Sequence, residues 1–281
     1  MKILDFSQAQ YKHSNFVIPY WYGRFGNNVL QIANALVLAD VFDGSVHSPL
    51  SHDQIHSFTT SNFYGNCVID KFFSSDTGIH LIEDTELNSR DRDIWSKKLK
   101  NYIQYVLKEK LKFSIEGPII SENTLVIHLR GEDIFTSNQV TYTQCPLSHI
   151  LKVSEKYEKV IVVFQDRMNP IVSVLEKLPK FQMQSSSIES DFSTLYRASH
   201  LLLGGCSSFS EIASIESTHK KLIYTSDANR FNQIIRMNCA TIHLTLPQSY
   251  CGGKMNWNRD THQMMEYIVS EIDYNKHEKI A

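Results

Sequence analysis

The residues best placed to do chemistry are His128, Arg130, Glu132 and Asp133, which follow the apolar run Leu125-Val126-Ile127 in the stretch LVIHLRGEDIF. The apolar run reads as a buried strand. In an open α/β sheet, ligands collect in the crevice beyond the carboxyl ends of the strands. An arginine there offers a planar fork of donors suited to phosphate or carboxylate. A second stretch, Gly204-Gly205-Cys206-Ser207-Ser208-Phe209-Ser210, leads from an apolar run into the start of a helix. Backbone N–H groups and the positive end of a helix favour an anion there, and Ser207 and Ser208 add hydroxyl donors. The competing role for either serine is simply to cap the helix. A third strand end, KVIVVFQ, runs into Asp166 and Asn169. Arg130 and the glycine-serine loop together fit a pyrophosphate.

These loops need a sheet to hold them. From residue 125 onward, strands and helices alternate. Strands are predicted at 125–130, 159–165, 181–184, 201–203 and 221–224; helices are predicted at 146–157, 170–178, from Asp191, and at 209–217. Such βα units imply a parallel, doubly wound sheet. Upstream, Phe16 to Trp21 reads as a strand and Gly23-Arg24-Phe25-Gly26-Asn27 as a turn, with Asn27 able to cap the next helix. Residues 28–42 form a helix that is apolar all round, hence buried, and Asp43-Gly44 stops it. Cys67 to Asp70 suggests a further strand. Asn88 to Asp93 reads as a polar loop, and residues 95–113 as an amphipathic helix with a lysine-rich face. That face is either solvated or able to make weak contact with a membrane surface. Gly117-Pro118 breaks the chain, and residues 258–273 are predicted to be a closing helix. The expected domains are 1–117, 118–250 and a C-terminal piece, 251–281.

Several functional classes are disfavoured. The formal net charge of −2 gives no reason to expect a nucleic-acid partner. No apolar run is long enough to span a bilayer, and the N-terminal residues lack the apolar core of a signal peptide. The five cysteines include no CxxC pair, so neither a disulfide framework nor a zinc site is expected. A reducing, cytoplasmic compartment is the expectation. The G-x-x-G turn at 23–26 is not a dinucleotide fingerprint, and there is neither a P-loop nor a hydrolase nucleophile elbow. Asp91-Arg92-Asp93 spells D-x-D but lies in a polar stretch, so no metal site is assigned. His52 and His56 read as exposed loop histidines.

In order along the chain, Gly23-Arg24-Phe25-Gly26-Asn27-Asn28, His128-Leu129-Arg130 with Asp133, and Gly204 to Ser210 resemble motifs of the protein O-fucosyltransferases, and more broadly of the α1,2/α1,6/O-fucosyltransferase superfamily. The resemblance implies an α/β, GT-B-like fold, with two Rossmann-like domains and a cleft between them. It also implies an inverting, metal-independent transfer from a nucleotide sugar, typically GDP-fucose, to a glycan or polysaccharide acceptor, with no cofactor. Matched position by position, Arg130 holds the donor diphosphate. His128 and Asp191 contact the base, and Ser207, Ser208 and Phe209 grip phosphate and nucleoside. Arg24 and Asn27 face the cleft from the other domain. Asp166 joins the donor-binding set from its strand end. Glu132 and Asp133 are the candidate bases for the acceptor proton, with Asp133 alternatively orienting Arg130.

The sequence also departs from the family. Gly131 stands where many members carry a second arginine, and Ser217 stands near the place of a further basic residue. A UDP-sugar donor such as UDP-xylose therefore stays open, as does a nucleotide-sugar-binding module without catalysis. A different α/β enzyme, such as an epimerase or a phosphatase, is the third alternative.

Overall fold

The computed structural model describes residues 15–18, 20–21, 23–48, 51–60, 89–115, 117–131, 133–136, 144–205, 207–215, 219, 222–225, 241–245 and 277–280. The chain divides into two compact units, Met1–Ser114 and Ile115–Ala281.

In the first unit, β1 (Asn15–Val17) and β2 (Ser45–Ser48) are parallel, with β3 (Phe58–Thr59) antiparallel to β2. Between β1 and β2 runs α1 (Phe25–Val41), buried over nearly its whole circumference as its apolar composition requires. The helix begins earlier than the predicted Asn28. Gly23 takes a left-handed φ of 68°, Arg24 occupies the N-cap position without a side-chain cap bond, and Asn27 lies inside the first turn rather than capping it. The amide of Asn27 instead covers Gly23, where a Cβ would meet its Nδ2 at 2.2 Å. At the other end, Gly44 N–H donates to the Ala39 carbonyl at 2.7 Å while Asp43, at φ 50°, makes the left-handed turn. This is a Schellman ending.

The lysine-rich helix α2 (Ser89–Glu109) starts before Trp95, so the polar stretch expected to be loop is its first turns. Polar residues at a helix start lie outside the apolar stripe that periodicity detects. The helix buries Trp95, Leu99, Ile103, Val106 and Leu107. It packs on α1, with Trp95 Nε1–H donating to Asn34 Oδ1 at 3.3 Å and Lys98 paired with Asp40. The predicted strand at Cys67 lies outside the described residues, as do the side chains of Asp91 and Asp93.

The second unit is a seven-stranded sheet of order β6-β5-β4-β7-β8-β9-β10. Its strands are β4 (Ile120–Leu129), β5 (Lys159–Phe164), β6 (Phe181–Gln184), β7 (Ala198–Leu203), β8 (Leu222–Thr225), β9 (Thr241–Thr245) and β10 (His277–Ile280). All neighbours pair parallel except β9 and β10. Counted from β4, the parallel strands run 3-2-1-4-5-6, the order of Rossmann sheets. The connecting helices are α3 (Asp133–Thr136), α4 (Leu147–Ser154), α5 (Pro170–Leu175), α6 (Ile188–Arg197) and α7 (Ser208–Ser214).

The core on one face joins Leu125, Ile127 and Leu129 of β4 and Val160, Val162 and Phe164 of β5 to Leu147, Ile150 and Val153 of α4 and Ile171, Val172 and Leu175 of α5. The alternate residues of β4, Val126 and His128, are buried as well. A parallel strand covered on both faces reads as a continuous apolar run, which is why LVIHL is so apolar. The expected closing helix at 258–273 lies outside the described residues. The end of the 251–281 piece is not helical; it is the antiparallel edge strand β10. No described helix is long and apolar enough to cross a membrane.

Candidate functional site

Strand order brings the predicted loops together. The sheet reverses direction of growth between β4 and β7, which lie side by side with His128 level with Leu203. Their carboxyl ends therefore flank the crevice where α/β sheets bind ligands. On the other side of β4, Leu129 is level with Phe164 of β5, so Gly131, the residue after Arg130, lies against Asp166. Three of the predicted loops thus converge in the second unit: 128–131, 166–169 and the described residues 204, 205, 207 and 208.

Contacts between these loops are tight. Gly204 N–H donates to the His128 carbonyl at 3.0 Å, and a Cβ at position 204 would lie 2.1 Å from that same oxygen. Only glycine lets β7 approach β4 this closely. Gly205 takes a φ of 140°, a conformation L residues avoid. Arg130 is half-buried. Its backbone carbonyl accepts from Asn169 Nδ2 at 3.0 Å, while Asn169 Oδ1 accepts from Ile171 N–H at 3.1 Å as the N-cap of α5. Asn169 thus positions the arginine, a role hidden in the sequence behind its recognisable place before Pro170.

Asp166 occupies the space over Gly131. A Cβ on Gly131 would meet Asp166 Oδ1 at 2.3 Å and Oδ2 at 2.5 Å. Oδ1 is itself held by Met168 N–H at 2.8 Å. Where the fuller motif carries a second positive charge, this chain presents a carboxylate. Glu132 lies outside the described residues. Asp133 opens α3, and its side chain lies outside them too.

His128 is buried against Phe209, with ring centroids 5.5 Å apart, and Phe209 in turn meets Phe192 edge-on at 5.4 Å. Burial first, and the neighbouring Arg130 charge second, pull His128 down to about 3. It is therefore neutral near pH 7 and can accept or donate one hydrogen bond without adding charge.

Asp191 stands in the first turn of α6, one residue before Phe192. Its Oδ1 accepts from Gln184 Nε2 at 2.9 Å and its Oδ2 from Ser186 N–H at 3.1 Å. Burial pushes its carboxyl up, and the bonds from Gln184 and Ser186 oppose that. Asp191 ties the β6–α6 connection together immediately before Phe192, which meets Phe209 edge-on.

Ser207 occupies the N-cap position of α7, yet its side chain makes no capping bond. Simple capping therefore does not account for this serine. Ser208 is the first residue of the helix. Arg24 and Asn27 belong to the first unit. Among the described residues there is no cluster of three or more His, Cys, Asp or Glu able to hold a metal.

The first unit holds a feature that sequence reasoning missed. His52 is half-buried rather than exposed. Gln54 N–H donates to its Nδ1 at 3.1 Å, which leaves the proton on Nε2 to donate to Asn28 Oδ1 at 2.9 Å. Trp21 meets the ring edge-on at 5.0 Å. Burial foremost, and Lys112 in addition, lower the histidine, against the pull of Asp53. The Asn28 partner was present in the turn motif, but nothing in the spacing linked it to His52.

No family model and no curated protein matches the chain. Among solved structures, the chain is similar to POFUT1 in complex with GDP, at 13% identity and a TM-score of 0.37, covering 72% of this chain and 93% of that one. It is likewise similar to POFUT1 in complex with GDP-fucose, at 12% identity and a TM-score of 0.38, covering 72% and 93%. At such scores the likeness carries no functional weight, which rests instead on the residues of the site.

Proposed function

We propose that the chain is a glycosyltransferase that binds a nucleoside diphosphate sugar at the β4–β7 switch point and passes the sugar to a glycan or polysaccharide acceptor. GDP-fucose is the favoured donor, with a UDP-sugar such as UDP-xylose the alternative. The observation that carries this reading is the placement of Arg130 beside the Gly204-Gly205 loop, with a serine there that caps nothing. A full positive charge and hydroxyl donors at the ends of neighbouring strands suit a diphosphate better than any neutral ligand.

In this reading, Arg130 binds the diphosphate and stabilises the charge that grows on the leaving β-phosphate as the glycosidic bond breaks. Preorganised electrostatics of this kind is often the largest contribution to catalysis. Ser207 and Ser208 add hydrogen bonds to the phosphates, and His128 and Phe209 form an uncharged wall for the base. Asp191 acts on that wall through Phe192. The acceptor proton passes to Glu132, Asp133 or Asp166. The resemblance implies inversion, independence from metal, and a GT-B arrangement in which Arg24 and Asn27 face the donor.

The test is donor turnover. Purified protein incubated with GDP-fucose or UDP-xylose should release GDP or UDP slowly even without acceptor, and Arg130→Ala should abolish release while keeping the fold. Failure of the intact protein to bind GDP or UDP would overturn the proposal. A second reading, a binding module without catalysis, is favoured by the carboxylate of Asp166 where a second arginine is expected. It predicts nucleotide binding with no release of sugar.

A further inference from the structure

Gln144 is a buried amide without a partner among the described residues. It is fully buried, and neither its Nε2 nor its Oε1 has a hydrogen-bond partner among them. An amide in that condition carries an uncompensated desolvation cost, so native structures rarely keep one without a reason. Its placement supplies the reason. Gln144 forms an isolated antiparallel bridge with Gly205, and the next residue, Cys145, donates its N–H to the Gly204 carbonyl at 3.0 Å. Cys145 packs into the core shared with α4 and α5. Successive side chains of an extended segment face opposite ways, so Gln144 is turned away from that core. Bridge partners share a face, and Gly205 has no side chain to fill its half. The amide therefore shares its face with a residue that has no side chain, at the switch point.

We propose that Gln144 reads a vicinal diol of the bound nucleotide sugar, an inference that rests on the donor-site reading above. Chemistry selects the diol. A diphosphate only accepts hydrogen bonds, so it could satisfy Nε2 but would face the acceptor Oε1 unfavourably. A pair of hydroxyls both donates and accepts, and so satisfies the two ends of the amide together. The ribose and the transferred sugar both offer such a pair.

Calorimetric titrations of the full chain with pyrophosphate, GDP, 2′-deoxy-GDP, UDP, 2′-deoxy-UDP, GDP-fucose and UDP-xylose test this. Gln144→Leu should leave pyrophosphate binding unchanged and weaken the diol-bearing ligand about tenfold, the effect of losing a hydrogen-bonded pair. If the ribose diol is read, the loss appears already with GDP or UDP, and the intact protein binds the 2′-deoxy form as weakly as the variant binds the ribo form. If the transferred sugar is read, only the nucleotide sugars lose affinity. Gln144→Met replaces the leucine variant should the latter not fold. Equal affinities of variant and intact protein for every ligand would overturn the role of Gln144 alone. No binding of any nucleotide by the intact protein would overturn the donor site, and this inference with it.

Discussion

Asp166 holds the ground beside Arg130 that any side chain at Gly131 would need. Its carboxylate is short and anchored to the Met168 N–H, so it has little freedom to step aside. Gly131→Arg, which would restore the fuller arginine pair, should therefore cost about 1–3 kcal/mol of stability. Combining it with Asp166→Ala removes the colliding atoms and should recover much of that cost. A double-mutant cycle by denaturant unfolding reads the coupling directly. Strictly additive costs would show that the two positions do not compete.

Buried neutral His128 gives the fold an acid-sensitive component. The unfolded chain protonates its histidine near pH 6.5, whereas in the folded state the group stays neutral down to about 3. Between those values the unfolded state binds the extra proton. The stabilising contribution is therefore complete above pH 6.5 and is lost as pH falls toward 3, by at most about 1.4 kcal/mol per pH unit. His128→Leu should flatten the unfolding free energy between pH 7.5 and 5 relative to the unaltered chain. Parallel curves for the two proteins would refute the assignment.

Ser207 should separate stability from binding. Because its hydroxyl does not cap α7, Ser207→Ala should cost only a few tenths of a kcal/mol instead of the ~1 kcal/mol usual for a capping serine. Affinity for GDP or UDP should fall about fivefold, one ordinary hydrogen bond. Thermal melts with and without nucleotide measure both. A full capping loss without any change in affinity would return the residue to a structural role.

Gly204 carries the opposite signature. A methyl group there meets the backbone oxygen of His128, which belongs to a paired strand and cannot rotate away. Gly204→Ala should destabilise by about 3 kcal/mol through forced separation of β4 and β7, and the surviving folded fraction should bind nucleotide poorly. A melting temperature equal to that of the unaltered chain would contradict the packing described.

Much of the second unit was legible because its strands are short apolar runs ended by charge or glycine. LVIHLR announces both the strand and the group at its end. The 3-2-1-4-5-6 order was not legible, since periodicity reports which residues are buried and not which strands pair. It is that order that makes neighbours of Arg130 and Gly204. The start of α2 was hidden because its first residues lie outside the apolar stripe. Gln144, Asn169 and the His52–Asn28 pair escaped for a common reason. Each is a polar residue whose partner, or lack of one, is set by tertiary contacts between distant parts of the chain. Asp166 was picked out for its place at a strand end, but nothing in the sequence showed that it would fill the space over Gly131.

The two hands of the Asn169 amide are held by different masters: Oδ1 begins α5, and Nδ2 braces the carbonyl of Arg130. Under the proposed function, selection for a sturdy helix and selection for a steady anion grip act on one side chain. A lineage that relinquished the ligand would still retain the asparagine for the helix, so its persistence would outlast the activity, whereas the identity of residue 130 would record when binding was given up.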